Sequence, residues 1–143
     1  MSKIAVVYWS GTGNTEAMAN AVADGVNENG GNATLYTADS FNGDMVNDFD
    51  AIAFGCPAMG AEVLEDEEFE PMFNGCESSL NGKKIALFGS YGWGDGEWMR
   101  EWESRMLDAG ANVLNREGLI CHETPDDDAL EDCRSLGKQL ASL

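Results

Sequence analysis

Six apolar residues, Ile4-Ala5-Val6-Val7-Tyr8-Trp9, run directly into Ser10-Gly11-Thr12-Gly13-Asn14-Thr15, and a helix-like pattern begins at Glu16-Ala17-Met18-Ala19. A strand, a glycine turn and a helix in immediate succession read as a phosphate cradle at the first turn of an α/β chain. Gly11 and Gly13 let the chain turn sharply with its N–H groups exposed, and Ser10, Thr12, Asn14 and Thr15 add side-chain donors. Every one of these donors is neutral. A nucleoside-triphosphate loop needs a lysine after its second glycine, and none follows Gly13; a dinucleotide fingerprint wants a third glycine where Glu16 stands. The phosphate of a mononucleotide fits better. Taken alone, the segment also reads as a polar turn capping a helix, and two later loops weigh against that.

Apolar runs of strand length occur at 4–9, 33–36, 51–54, 85–88 and 113–114 with 119–121, and their continuity predicts burial on both faces. Helix-like stretches lie at 15–27, near Met45, and at 68–73, 98–107 and 129–143. This alternation predicts a doubly wound parallel sheet, whose ligands sit outside the carboxyl ends of the strands where strand order reverses. At 143 residues, with no linker, internal repeat or membrane-length apolar stretch, the chain reads as one domain over residues 1–143. The strand pattern begins at Lys3 without a secretory leader, so the cytoplasm is the expected location.

Eight Lys and Arg against 26 Asp and Glu give a net charge of -18, and no basic residue lies between Lys3 and Lys83. Nucleic-acid binding is excluded on that charge. Glu62, Glu65, Asp66, Glu67, Glu68 and Glu70 form one acidic cluster and Asp126-Asp127-Asp128 another. They read as a solvated face, as a steering surface for basic partners, or as both. Cys56, Cys76, Cys121 and Cys133 are widely spaced and have one histidine, His122, for company, so no metal site is signalled and reduced, buried thiols are expected.

Two further loops follow strands. Cys56-Pro57-Ala58-Met59-Gly60-Ala61-Glu62 couples a thioether to a glycine and a carboxylate, and Ser90-Tyr91-Gly92-Trp93-Gly94-Asp95-Gly96 sets two aromatics among three glycines. Aromatics on a glycine-rich loop either fold back onto the core or cover a flat partner. With the first loop they supply the parts needed to hold a planar mononucleotide, and FMN is the natural candidate.

Across essentially its whole length the chain resembles the flavodoxins, in particular the short-chain type of anaerobic bacteria. The resemblance is carried in order by Tyr8 to Glu16, by Gly55-Cys56-Pro57-Ala58-Met59-Gly60 and by Leu87-Phe88-Gly89-Ser90-Tyr91-Gly92-Trp93-Gly94, and the segment after Gly82 leaves no room for the inserted loop of long-chain members. It implies an α/β, flavodoxin-like three-layer sandwich: a five-stranded parallel sheet of order 2-1-3-4-5 with helices on both faces. It implies a low-potential carrier of single electrons between redox enzymes on non-covalent FMN, working between semiquinone and hydroquinone, and not an enzyme.

By the same resemblance, Ser10, Thr12, Asn14 and Thr15 would bind the phosphate with the amides of a loop that includes Gly11 and Gly13, and Ser90 could add a hydroxyl. Met59 and Trp93 would sandwich the ring, Tyr91 would border it, and Glu62 would accept from ring N3–H. Pro57 and Ala58 belong to the second loop, and amides near Gly92 and Gly94 would reach the pyrimidine oxygen. The Gly60-Ala61 peptide would lie near N5, although members of this subgroup often carry a polar or acidic residue where Ala61 stands. Redox enzymes would dock through basic patches on the acidic face of Glu62, Glu65, Asp66, Glu67, Glu68 and Glu70, with the chain a monomer. His122 reads as a surface histidine.

An FMN-dependent NAD(P)H or quinone reductase of the same fold is the alternative. A signalling receiver domain is ruled out because Tyr8-Trp9-Ser10 and Gly55-Cys56 stand where its acidic pair and phosphoacceptor aspartate would be.

Overall fold

The computed structural model describes every residue except Met1, Thr12, Gly60, Ala61, Glu62, Trp93, Arg116 and Leu143. Strands β1 (Lys3–Tyr8), β3 (Ala51–Gly55) and β4 (Lys84–Tyr91) form its centre, and the alternation of their side chains divides the interior in two. Ala5, Val7, Ile52, Phe54, Ile85 and Leu87 enter one apolar cluster; Ile4, Val6, Tyr8, Ala51, Ala53, Ala86 and Phe88 enter the other. Burial on both faces is why these runs lack a polar alternation.

Helices α1 (Asn14–Glu28) and α4 (Asp127–Ala141) close the second cluster, and α2 (Phe69–Cys76) and α3 (Glu97–Asp108) close the first. With β2 (Asn32–Thr37) and β5 (Asn112–Val113) at the two sides, the parallel order is β2-β1-β3-β4-β5, the expected 2-1-3-4-5. Trp98 and Trp102 from α3 and Phe69 and Phe73 from α2 are among the largest fully buried side chains. Each such burial contributes about 1.5–3 kcal/mol. On the other face α1 and α4 approach so closely that a Cβ on Gly137 would strike the Val22 carbonyl, and one on Gly25 the Arg134 carbonyl.

Three elements differ from the sequence expectation. Strand β2 (Asn32–Thr37) is an edge strand with only Ala33 and Tyr36 half-buried, so its apolar run does not mark burial on both faces. The segment near Met45 is a 3-10 turn (Gly43–Asp48), opened by Asn42, whose side chain accepts from Asp44 N–H. The fifth strand position is filled by two pieces, β5 (Asn112–Val113) and β6 (Leu119–His122), both parallel to β4. Between them the Asn115 side chain stands in for a strand backbone: its Nδ2 donates to Leu87 O at 2.9 Å and its Oδ1 accepts from Leu87 N–H at 3.4 Å. No helix among the described residues is long and apolar enough to cross a membrane.

Candidate functional site

All strands run parallel, so the turns after β1, β3 and β4 emerge at the same edge of the sheet. In the first turn, Ser10 Oγ accepts from the N–H groups of Gly13 (3.1 Å) and Glu16 (3.2 Å), which leaves its own O–H free to donate. Gly13 caps α1 in the left-handed region, φ 95°, with no side-chain cap. The N–H groups of Asn14 and Thr15 make no hydrogen bond to a described residue. The start of α1 therefore offers neutral donors and the positive end of a helix dipole.

The second and third turns are tied to each other and to the first. Thr15 Oγ1 and Ser90 Oγ lie 2.8 Å apart in the interior; since either atom can donate, one O–H of the pair remains for another acceptor. Ala58 N–H donates to Ser90 O at 3.0 Å, and Trp98 Nε1 donates to Cys56 O at 3.1 Å. Met59 and Val63 form an antiparallel bridge with N–H to O distances of 2.8 and 3.1 Å, bracketing residues 60–62.

A cavity of about 240 Å³ opens among these turns. The first turn contributes Gly11 and Asn14 to its wall, the second Pro57, Ala58 and Met59, and the third Ser90, Tyr91 and Gly92. Ser10 and Gly13 line a second cavity of about 520 Å³ that shares Trp9 and Gly11 with the first. Thr15 is buried behind the wall, and Gly94 lies in the following loop at φ 88°. The positions expected to carry Thr12, Gly60, Ala61, Glu62 and Trp93 to the ligand lie outside the described residues.

Two wall residues were absent from the sequence-derived site. Trp9 folds over Gly11, where an added Cβ would sit 3.0 Å from the indole, and its Nε1 donates to Glu68 Oε1 at 3.3 Å. Its position at the end of an apolar run beside the glycine turn was the available signal. Glu123 enters from the end of β6 at φ 60°, a conformation no sequence signal announces for a glutamate. His122 is exposed, as expected, but its Nε2 lies 3.1 Å from Gly92 O.

The acidic segment needs one correction. Glu65 is 5% exposed and does not belong to an exposed docking face. Its carboxylate accepts from the N–H groups of Glu67, Glu68 and Phe69, each at 2.8 Å, and so caps α2. Burial raises the Glu65 pKa, but the three N–H bonds outweigh it and hold the carboxyl below its ordinary value. Glu70 is half-buried and held by Arg105 at 2.6 Å, whereas Asp66, Glu67 and Glu68 are exposed. All four cysteines are free and buried. Burial pushes the Cys76 thiol up to about 11 and Cys133 up to about 12, the latter helped by Cys121 and Asp132, which marks both as inert packing groups.

A doubly wound sheet with neutral anion donors and an aromatic-walled cavity at its strand ends defines a mononucleotide-binding α/β protein. Residues 6–137 match the family model described as Flavodoxin. Over 138 residues the chain is 46% identical to the flavodoxin of Clostridium beijerinckii, covering 96% of this chain and 99% of that one. It is equally identical, at 46%, to the flavodoxin of Megasphaera elsdenii, covering 96% and 98%. The solution structure of the two-electron reduced Megasphaera elsdenii flavodoxin superposes with a TM-score of 0.87 over 98% of this chain and 99% of that one. A flavodoxin from the domain Archaea, 29% identical, also gives 0.87, over 98% and 96%. The chain belongs to the flavodoxin family, and it is of the short-chain kind found in anaerobes. It is an electron-transfer protein whose redox group is FMN, a carrier and not an enzyme, and these relatives give the reductase alternative no support.

Proposed function

We propose that the whole chain is one FMN-binding domain and that the cavity between the first, second and third turns is where the cofactor sits. The observation that carries this is the convergence of eight expected residues, drawn from three separate turns, on one cavity wall. The donor set fits the group. The Ser10 O–H, the remaining O–H of the Thr15 and Ser90 pair and the open N–H groups at the start of α1 suit a phosphate, while Trp9, Met59 and Tyr91 suit a flat ring.

Bound FMN supplies reversible one-electron chemistry. Ser10, Asn14, Thr15 and Ser90 would bind its phosphate, with Thr12 as the remaining hydroxyl of the loop. Met59 and Trp93 would cover the ring, Tyr91 and Trp9 would shield it from water, Glu62 would accept from its N3–H, and the peptide of Gly60 and Ala61 would serve N5. The described walls of both cavities carry no Lys or Arg, while Glu16, Asp39, Glu68 and Glu123 line them. Added negative charge is therefore disfavoured, and the potential is low: one carboxylate at about 12 Å and an effective dielectric near 20 costs roughly 1.4 kcal/mol, or about 60 mV for one electron, before screening.

Redox enzymes dock by basic patches against Asp66, Glu67 and Glu68, with Glu70 half-covered by Arg105. The chain works as a monomer; the exposed large apolar side chains among the described residues are Leu35, Val63, Leu107 and Ile120. Four free, buried thiols support a reducing compartment, the cytoplasm.

Titration of the apoprotein with FMN, followed by stepwise anaerobic reduction, tests this reading. Tight one-to-one binding, weakened several-fold by Ser10→Ala, and two resolved one-electron steps are expected. A single two-electron step would favour a reductase, and failure to retain flavin would remove the assigned cavity.

A further inference from the structure

Strand β6 ends beside the glycine-rich loop that follows β4, and it grips that loop in three ways. Tyr91 pairs with His122 in the parallel register, Glu123 N–H donates to Tyr91 O at 2.7 Å, and His122 Nε2 lies 3.1 Å from Gly92 O. The imidazole also packs on the Tyr91 ring, with centroids 5.0 Å apart, and Tyr91 in turn packs on Trp98 at 5.5 Å. A Cβ built on Gly92 would meet nothing within 4 Å, Gly94 and Gly96 are at φ 88° and 95°, and the far end is tied down by an exposed Arg100 to Asp95 pair at 2.9 Å. Exposed pairs of this kind contribute little.

The clamp is also strained. Glu123 adopts φ 60°, which for a residue with a side chain is unfavourable and persists only where the surroundings impose it. Here it is imposed at the point where β6 meets the wall of the FMN cavity, to which Glu123, Tyr91 and Gly92 all contribute.

We propose that His122 is a positioning residue for the cofactor: its Nε2–H donates to the Gly92 carbonyl and fixes the start of the loop that borders the ring. Gly92 O can only accept, so the neutral imidazole has to carry its proton on Nε2, and the imidazolium donates from the same atom. Among the described residues, the Glu123 carboxylate lies 3.9 Å from Nε2 and the Tyr91 ring packs on the imidazole. This inference rests on the reading that the cavity holds FMN.

The test uses three variants and one spectrum. His122→Phe keeps a ring against Tyr91 and removes the donor, His122→Gln keeps a donor and removes the ring, and His122→Ala removes both. FMN dissociation constants, measured by flavin fluorescence, are expected to rise roughly tenfold for Phe and Ala and to stay within about threefold for Gln. Phe binding as tightly as the wild type, or Gln binding as weakly as Phe, would overturn the role of the hydrogen bond. Because the chain has one histidine, a long-range proton–nitrogen spectrum of the apoprotein at alkaline pH reports this ring alone. An Nε2-protonated tautomer is expected, and an Nδ1-protonated or evenly mixed ring would refute the proposal. If the wild type fails to take up FMN, the cofactor reading falls, and the tautomer decides the clamp by itself.

Discussion

Gly89 is the residue through which fold and site depend on each other most directly. It lies in β4 one residue before Ser90, and a Cβ added there would land on the Cys56 carbonyl oxygen and within 3.1 Å of the Trp98 ring. That carbonyl accepts from Trp98 Nε1, and the chain beyond it carries Pro57, Ala58 and Met59 to the cavity wall. In Gly89→Ala the obstacle is backbone in a central parallel strand pair, so it cannot give way cheaply. Overpacking costs about 1–3 kcal/mol, and a buried indole N–H that loses its acceptor costs about 1–3 more. Replacing glycine in a strand returns roughly 0.5–1 kcal/mol. The net is a loss of about 3 kcal/mol, or roughly 10 °C in Tm for a chain of this size. Gly75→Ala is the control: it lies in α2 with nothing within 4 Å of an added Cβ, and the helix gains up to about 1 kcal/mol. Urea unfolding of both apoproteins, followed by circular dichroism, reads the two signs, and FMN affinity should fall only for Gly89→Ala. A Gly89→Ala protein as stable as the wild type would refute the claim that this glycine is required by close approach.

Three further outcomes follow from the same structure. Gly137→Ala drives a Cβ into the Val22 carbonyl of α1, and since helix propensity offers only about 1 kcal/mol against an overpacking cost of about 1–3 kcal/mol, a net destabilisation of about 1 kcal/mol is expected in thermal melts; a rise in Tm would contradict the contact. Glu65→Gln removes a charge that caps α2 and should cost about 1–3 kcal/mol at pH 7. Because the folded Glu65 pKa is depressed, its contribution is fully present above the ordinary carboxyl value of about 4.3 and fades as pH falls through the folded value, so unfolding curves of variant and wild type should converge in acid; a gap independent of pH would count against the cap. Reversing Asp66 and Glu67 to Lys should slow electron delivery to a basic redox partner roughly tenfold at low salt, an effect that added salt erases; Glu65→Gln should leave that rate unchanged, and equal rates for the charge reversal would remove the docking face.

How far the fold could be read from the chain depended on how local its causes are. The runs at 51–54 and 85–88 announce central strands because both of their faces are buried, and β3 runs only to Gly55 while β4 runs from Lys84 to Tyr91. The run at 33–36, Ala33-Thr34-Leu35-Tyr36, also reads as a strand but lies at the edge, because edge or centre is decided by partners far away in the chain. The break between β5 and β6 was visible as a gap in the apolar pattern, but its repair was not: Asn115 substitutes for backbone only because Leu87 lies across from it. Glu65 was read as one more surface acid for a different reason: its partners are local, the N–H groups of Glu67, Glu68 and Phe69 at the turn into α2, but a run of acids in sequence does not say which of them turns inward to accept those bonds.

The site divides along the same line. Its donors are legible because a phosphate demands a pattern within one short segment: glycines for the turn, hydroxyls for the oxygens, a helix start for the charge. Its walls become legible when three such segments each follow a strand, since parallel strands deliver their turns to one edge. Glu123 and His122 satisfy neither condition. Glu123 reaches the wall through a left-handed backbone that local sequence would assign to glycine or asparagine, and His122 acts on a carbonyl 30 positions earlier in the chain. What brings them there is the register of β6 on β4, which sets His122 beside Tyr91 and leaves Glu123 to close the end of the pair. The part of the site that binds through its own residues is therefore written locally, and the part that holds those residues in place is written in the pairing of strands.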